Sequence, residues 1–168
     1  FTHMSKASLV KYQEDCISAV NSLQTCLFTA FPYELETPLL KYSPKFILKI
    51  LVTAMAAVAM RFVDISLWPE FWSSVTGQRI GITAFLRAGA RIHVLERLMN
   101  TNEGISRKDD TLPERMLTED RKCDTKGRKI PLEKMLNNYY FVRGYDKNGI
   151  PKPRTLRRLK INRAIAGE

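Results

Sequence analysis

The sequence has few of the residues from which self-contained metal or disulfide sites are built. Its 168 residues include three cysteines and two histidines, and no Cys-x-x-Cys pair occurs. Without such a pair, neither a zinc site nor a complete iron–sulfur site can be read from this chain alone. The low, odd number of cysteines gives no indication of a disulfide framework and favours a reducing compartment, so we expect a cytoplasmic protein.

Motifs for nucleotide binding and for acyl-transfer catalysis are also missing. There is no glycine-rich phosphate loop and no Ser/His/Asp set. His3-Met4 resembles a cloning site, so residues 1–4 are interpreted as an expression remnant, and the opening residues lack a signal-peptide pattern. His93 follows Ile92 on a helical pattern, where a boundary residue is more common than a base. We therefore assign no catalytic acid or base.

Positive charge is concentrated at one end of the chain. Residues 1–120 hold 13 basic and 13 acidic side chains, whereas residues 121–168 hold 14 basic and 4 acidic ones, which accounts for the net charge of +10. A basic end can contact nucleic acid, an acidic membrane or an acidic protein, or can simply be a solvated surface.

Apolar residues recur at steps of three and four along several stretches, which is the spacing of amphipathic helices. This pattern predicts helices over 5–29, 69–75, 82–100, 129–141 and 153–161. Gly77, Gly104 and Gly144 follow three of them, as glycine often does after a helix C-terminus. Only residues 139–142 resemble a strand, and they lie in helical register. The predicted fold class is all-α.

Residues 46–62 form a nearly continuous apolar run that only Lys49 and Arg61 interrupt. The run is about as long as the shortest bilayer spans, but a buried helix of a water-soluble protein is the favoured interpretation. A chain of this size can hardly cover a helix that is apolar on all sides. The run therefore also indicates a missing partner surface.

Two further groups have the residue types of functional sites. Cys16 and Cys26 lie ten residues apart on the first predicted helix, on different faces. A single cysteine is more often a small buried hydrophobe than a ligand. The cluster at residues 107–110, Arg-Lys-Asp-Asp, is expected to be a loop tied by ion pairs.

Four segments resemble the C-terminal helical region of the tungsten-containing aldehyde:ferredoxin oxidoreductases, in the same order. They are SKASLVKYQEDCISAVNSLQTCLFTAF, EFWSSVTGQRIG, FLRAGARIHVLERLMNTNEGISRKDDTLPERML and IPLEKMLNNYYFVRGYDKNGIPKPRTLRRL. Together they cover most of residues 5–160. Residues 38–66 match less well and are interpreted as an insertion. Because proteins of this family are several times longer, the resemblance implies that residues 5–168 are the C-terminal helical domain of a longer enzyme.

The resemblance also implies a set of cofactor residues. The family carries a tungsten (or molybdenum) bis-pterin centre beside one [4Fe-4S] cluster, and three cluster ligands come from an upstream cysteine run that this chain lacks. The fourth belongs to an Asp-x-x-Gly-Leu-Cys motif, which residues 21–26 match as Asn-Ser-Leu-Gln-Thr-Cys. Cys26 is thereby implied to be the metal ligand, and Asn21 and Thr25 to contact a pterin. Asn21 replaces an aspartate that can accept two parallel hydrogen bonds, so weaker pterin binding is expected.

The implied function is oxidation of an aldehyde to a carboxylic acid, with ferredoxin as the electron acceptor. The implied partners are the upstream domains of the same enzyme, ferredoxin and the aldehyde, and residues 107–110 are expected near a domain interface. We expect no membrane partner and no nucleic acid, and we expect this segment to be inactive alone. On the residues without the resemblance, the alternative is a basic helical module that binds nucleic acid or an acidic protein without catalysis.

Overall fold

The computed structural model describes residues 3–26, 28, 42–54, 63–119 and 129–162. Within these ranges the chain forms seven α-helices. They are α1 (His3–Ser22), α2 (Lys45–Ala54), α3 (Leu67–Thr76), α4 (Ile82–Asn102), α5 (Glu114–Thr118), α6 (Leu132–Arg143) and α7 (Pro153–Leu159). The only extended pairing among the described residues is an isolated bridge between Tyr145 and Pro151. The predicted all-α class is confirmed.

Most helix ends lie where the glycines predict them. Gly77 ends α3 and Gly144 ends α6, each with a positive φ of 73°. Only at the first helix is the predicted boundary well off, because α1 ends at Ser22 rather than at residue 29. The short helix α5 lies between the predicted helices over 82–100 and 129–141, where the apolar spacing predicts no helix.

Two apolar clusters share α4 as their common wall. The first contains Phe85 of α4, Cys16 and Val20 of α1, and Trp68 of α3. The second contains the later residues of α4 and side chains from α6, the following turn and α7, namely Ala90, Val94, Leu98, Tyr140, Tyr145, Leu156, Leu159 and Ile161. Helix α1 packs against both α4 and α6, so its position depends on two neighbours.

The crossing of α1 and α4 requires a glycine. A Cβ atom at Gly89 would lie 1.7 Å from the carbonyl oxygen of Asp15 and 3.0 Å from the backbone nitrogen of Ala19. Any side chain at position 89 would therefore force the two backbones apart. Here close packing of the helices, rather than a special φ angle, is the reason for glycine.

Helix α2 is not buried by the rest of the described chain. Phe46 is 66% exposed and Ile50 is 62% exposed, which agrees with the expectation that a chain of this size can hardly cover the apolar run. Residues 55–62 of the apolar run, and residues 38–41 of the expected insertion, lie outside the described residues. None of the described helices has the length and apolar character needed to cross a bilayer.

Candidate functional site

The end of α1 carries the candidate cofactor residues. The backbone N–H of Leu23 donates to the carbonyl of Val20 at 3.0 Å, and the N–H of Gln24 donates to that of Asn21 at 2.9 Å. These tight turns close the helix, and Gln24 then adopts a left-handed conformation with φ 58°. A left-handed residue usually reverses the chain after a helix C-terminus and is most often glycine.

The three candidate residues lie within and just after this last turn. The side chains of Asn21 and Cys26 are exposed, and Thr25 is half-buried. The Thr25 hydroxyl donates a hydrogen bond to the carbonyl of Val20 at 3.1 Å, so its hydrogen serves to cap the helix. The structure thus brings the three residues to one end of α1. The expected placement of Cys26 on the helix itself is wrong, because α1 ends at Ser22, four residues before Cys26.

The two described cysteines differ in their surroundings. Cys16 is 1% exposed and belongs to the first apolar cluster. Cys26 is exposed, and Cys123 lies outside the described residues. Within the described ranges, no group of three or more His, Cys, Asp or Glu side chains lies close enough to hold a metal ion.

A buried arginine fastens the middle of α1 to α6. Arg143 is 1% exposed, and its Nη1 atom lies 2.5 Å from Oδ1 of Asp15, while Nη2 donates to the carboxylate of Glu14. Asp15 also accepts from Nζ of Lys11 at 2.5 Å. Burial alone would lower the pKa of Arg143, but the charges of the carboxylates of Asp15 and Glu14 outweigh it, and the pKa is raised.

Two neutral groups extend this ionic network. The hydroxyl of Tyr139 donates to Oε2 of Glu14 at 2.7 Å and lies 3.1 Å from Nε2 of His93. Burial and the charge of Arg143 lower the pKa of His93, so the ring is neutral at neutral pH. His93 is thus a partly buried boundary residue, as the sequence predicts.

Residues 107–110 are tied to two helices by ion pairs. Asp110 accepts from Nη1 and Nη2 of Arg97 at 2.8 and 2.6 Å, and also from the hydroxyl of Tyr140. Arg107 pairs with Glu133 of α6 at 2.6 Å. Burial alone would raise the pKa of Asp110, but these hydrogen bonds and the nearby arginines lower it. Residues 107–110 are thus held by ion pairs, as expected, but the partners Arg97 and Glu133 lie outside the segment rather than within it.

The sequence pattern indicates neither of these networks, and it assigns no role to Arg97 or Arg143. Their partners are 13 residues away for Arg97 and 128 to 129 residues away for Arg143, beyond the range of helical periodicity. The only sequence signal is the acidic pair Glu14-Asp15 directly before the buried Cys16. Such a pair beside an apolar stripe indicates that a cation must approach the same face.

Comparison with known proteins decides the family. The family profile described as "Aldehyde ferredoxin oxidoreductase, domains 2 & 3" matches residues 1–161 of this chain. The chain belongs to this family. The resemblance described from the sequence segments is therefore confirmed.

Curated members of the aldehyde ferredoxin oxidoreductase family align with less than half of the chain. A tungsten-containing aldehyde ferredoxin oxidoreductase of Pyrococcus furiosus is 42% identical over 71 residues, which are 40% of this chain and 12% of that protein. The protein with the same name from Pyrococcus horikoshii is 40% identical over 84 residues, 49% of this chain and 14% of that protein. The protein with the same name from Pyrococcus abyssi is 36% identical over 83 residues, which are 48% of this chain and 14% of that protein. The matched part is thus about one seventh or less of each relative's length.

Proposed function

We propose that this chain is the C-terminal helical part of an oxidoreductase that oxidises aldehydes to carboxylic acids and passes the electrons to ferredoxin. The proposal includes a tungsten or molybdenum bis-pterin centre and a [4Fe-4S] cluster, with Cys26 as one cluster ligand. Asn21 and Thr25 are proposed to contact a pterin. The cluster would supply one-electron transfer between the metal centre and the acceptor.

The observation that carries the proposal is the position of Cys26. It is exposed and lies two residues after Gln24, whose φ of 58° is a conformation that glycine adopts most easily. The family's motif has glycine at this position, so the backbone of this chain fits the motif even though its side chain does not. A cluster ligand must be a thiolate that lies where the other ligands can bind the same cluster. Cys16 does not meet this requirement, because it is buried in the first apolar cluster.

Among the described residues, this chain provides one of the four protein ligands that a [4Fe-4S] cluster needs. Cys26 provides the required sulfur, and within the described ranges it belongs to no group of three or more His, Cys, Asp or Glu side chains that could hold a metal ion. The remaining ligands are therefore proposed to come from the part of the enzyme that this chain does not include. By itself the 168-residue chain is expected not to retain iron.

The pterin contacts follow from the hydrogen-bonding capacity of the two side chains. The exposed amide of Asn21 can donate and accept, whereas the hydroxyl of Thr25 already donates to Val20 and can only accept. Asn21 is thus proposed to hold the polar edge of a pterin. Thr25 is proposed to keep the turn closed and to accept at most one further hydrogen bond.

The rest of the domain positions this turn. Arg143 joins α1 to α6, and the crossing at Gly89 sets the closest approach between α1 and α4. Helix α1 is therefore held upstream of the turn on two sides. In the proposal, this support determines where the sulfur of Cys26 meets the other ligands.

The test replaces Cys26 in the full-length enzyme. In a Cys26→Ser variant, we expect the electron paramagnetic resonance signal of the reduced [4Fe-4S] cluster to be lost or converted. Because even residues that support metal ligands are worth about 10–100-fold, we expect aldehyde oxidation with ferredoxin to fall by at least about tenfold. Iron per chain and the spectrum are measured together with activity.

Cys16→Ala is the matched control, since it removes the buried cysteine of the same helix. Its spectrum and iron content should equal those of the parent, with at most a modest loss of stability. A fully loaded parent whose iron, spectrum and activity are unchanged by Cys26→Ser contradicts the ligand assignment.

A further inference from the structure

A cleft lies between α1, α4 and α7, and the residues of α1 that line it lie between Ser8 and Asp15. It has a volume of about 420 Å³ and is lined by Lys11 and Tyr12 of α1, Leu86 and Arg87 of α4, and Arg158 and Leu159 of α7, among others. This volume is within the range of small-molecule sites. Arg87 and Arg158 reach it from two different helices.

The charges around this cleft are unbalanced. Asp15 is the single acidic residue of its lining, and its carboxylate is already bound by Lys11 and by the buried Arg143. Within the described part of the chain, Arg87 and Arg158 make no ion pair or hydrogen bond. By contrast, the arginines at 97, 107 and 143 are all paired with carboxylates. The cleft therefore presents two guanidinium groups with no acidic partner.

The cleft also has an apolar wall. Its lining includes the apolar residues Leu86, Ala90 and Leu159, and also Tyr12, Ser8 and Thr83. An inorganic ion would satisfy the charge but leave this apolar surface in contact with water. A ligand with both an anionic group and an apolar body would use the whole lining.

We propose that this cleft binds an organic anion, with a phosphate or carboxylate group held between Arg87 and Arg158 and an apolar body against Leu86 and Leu159. The planar guanidinium group matches both phosphate and carboxylate with two parallel hydrogen bonds. Lys11 also lines the cleft, but its charge is paired with Asp15.

This site is separate from the proposed cluster site. Lys11 precedes the last residue of α1 by eleven positions, which is about 16 Å along a helix at 1.5 Å per residue. Neither Asn21 nor Cys26 lines the cleft. Loss of the cluster in a Cys26→Ser variant would therefore leave this proposal standing, and the reverse also holds.

The experiment measures binding of phenyl phosphate and benzoate to the 168-residue chain by calorimetric titration at low ionic strength. Inorganic phosphate and acetate serve as the matching anions without an apolar body. We expect saturable binding of at least one aromatic anion, at least about tenfold tighter than its small counterpart, since burial of an apolar group is worth about 1.5–3 kcal/mol, or more than one factor of ten. Tighter binding of phenyl phosphate identifies phosphate as the preferred group, and tighter binding of benzoate identifies carboxylate.

Two pairs of variants locate the site. Arg87→Gln and Arg158→Gln should each weaken binding about tenfold or more, because each removes a charged hydrogen-bonding group. Arg91→Gln and Arg154→Gln remove exposed arginines one helical turn away on the same helices and should change binding less than twofold. All four replaced side chains are exposed, and unfolding curves check that each variant is folded. Absence of saturable binding, equal weakening by all four variants, or binding of the small anions as tight as that of the aromatic ones would overturn the proposal.

Discussion

The middle of α1 and its C-terminal end are built in opposite ways. In the middle, Asp15 is 5% exposed, is bound by Arg143, and has its backbone in contact with Gly89. At the end, Asn21 and Cys26 are exposed, and the turn is closed by its own backbone and by Thr25. One helix thus combines a part that neighbours hold tightly with a part that offers its side chains to the surroundings.

This difference shows how a 20-residue helix can be held by its neighbours in the middle while its C-terminal end stays exposed. Helix α1 is fixed by the apolar burial of Cys16, Ala19 and Val20, by close backbone packing at Gly89 and by paired buried charges, all of which precede the candidate site. The exposed end itself contributes little to the core. Substitutions in the middle should therefore affect folding strongly, and those at the end should affect it weakly.

The largest effect is expected at Arg143. Replacing it with methionine removes the buried cation that pairs with Glu14 and Asp15 and leaves Asp15 with Lys11 alone; breaking a buried pair in this way costs about 3–5 kcal/mol. Urea unfolding of the 168-residue chain measures the loss. Arg154→Met, at an exposed arginine of α7, should stay within about 0.5 kcal/mol. Equal effects of the two substitutions would show that the buried network does not hold α1.

A smaller loss is expected at the helix crossing. Gly89→Ala places a Cβ atom against the carbonyl of Asp15, and such overpacking costs about 1–3 kcal/mol. Gly81→Ala is the matched control, because its Cβ atom would meet nothing within 4 Å. Thermal unfolding should show a clearly lower midpoint for the first variant only. If both glycines tolerate alanine equally, the close approach of α1 and α4 does not constrain the fold.

The smallest effect, and the only gain, is expected at the end of α1. Gln24→Gly relieves a left-handed residue with φ 58° and should stabilise the chain by about 1 kcal/mol or less. Asn21→Gly, in the right-handed turn before it, should destabilise by about 0.5–1 kcal/mol. The midpoints of thermal unfolding of the two variants are compared with that of the parent chain under identical conditions. A loss of stability in both variants would argue against the left-handed turn.

The helices themselves could be predicted from the sequence because their ends are marked locally. Gly77 and Gly144 end α3 and α6 where the apolar periodicity stops, and Pro131 precedes α6. At α1 the same reasoning failed. Leu23 and Leu27 continue the apolar spacing, and Gln24 is a good helix former, so nothing local indicates a left-handed residue.

The candidate site was only partly predictable for a different reason. The family resemblance singles out Asn21, Thr25 and Cys26, and their role as cofactor residues remains a prediction. The pairing of Arg143 with Glu14 and Asp15 joins residues at opposite ends of the chain. Such a contact depends on how α6 packs on α1, and helical periodicity carries no information about it.

The contacts of the Tyr139 hydroxyl determine which nitrogen of His93 carries the proton. Its single hydroxyl hydrogen goes to Glu14, so the same oxygen must accept from His93, whose Nε2 atom lies 3.1 Å away. The imidazole therefore carries its proton on Nε2, and Nδ1 is the nitrogen left to gain a proton under acidic conditions. Because burial and the charge of Arg143 lower the pKa of this ring, that protonation needs a lower pH than it does in an ordinary histidine.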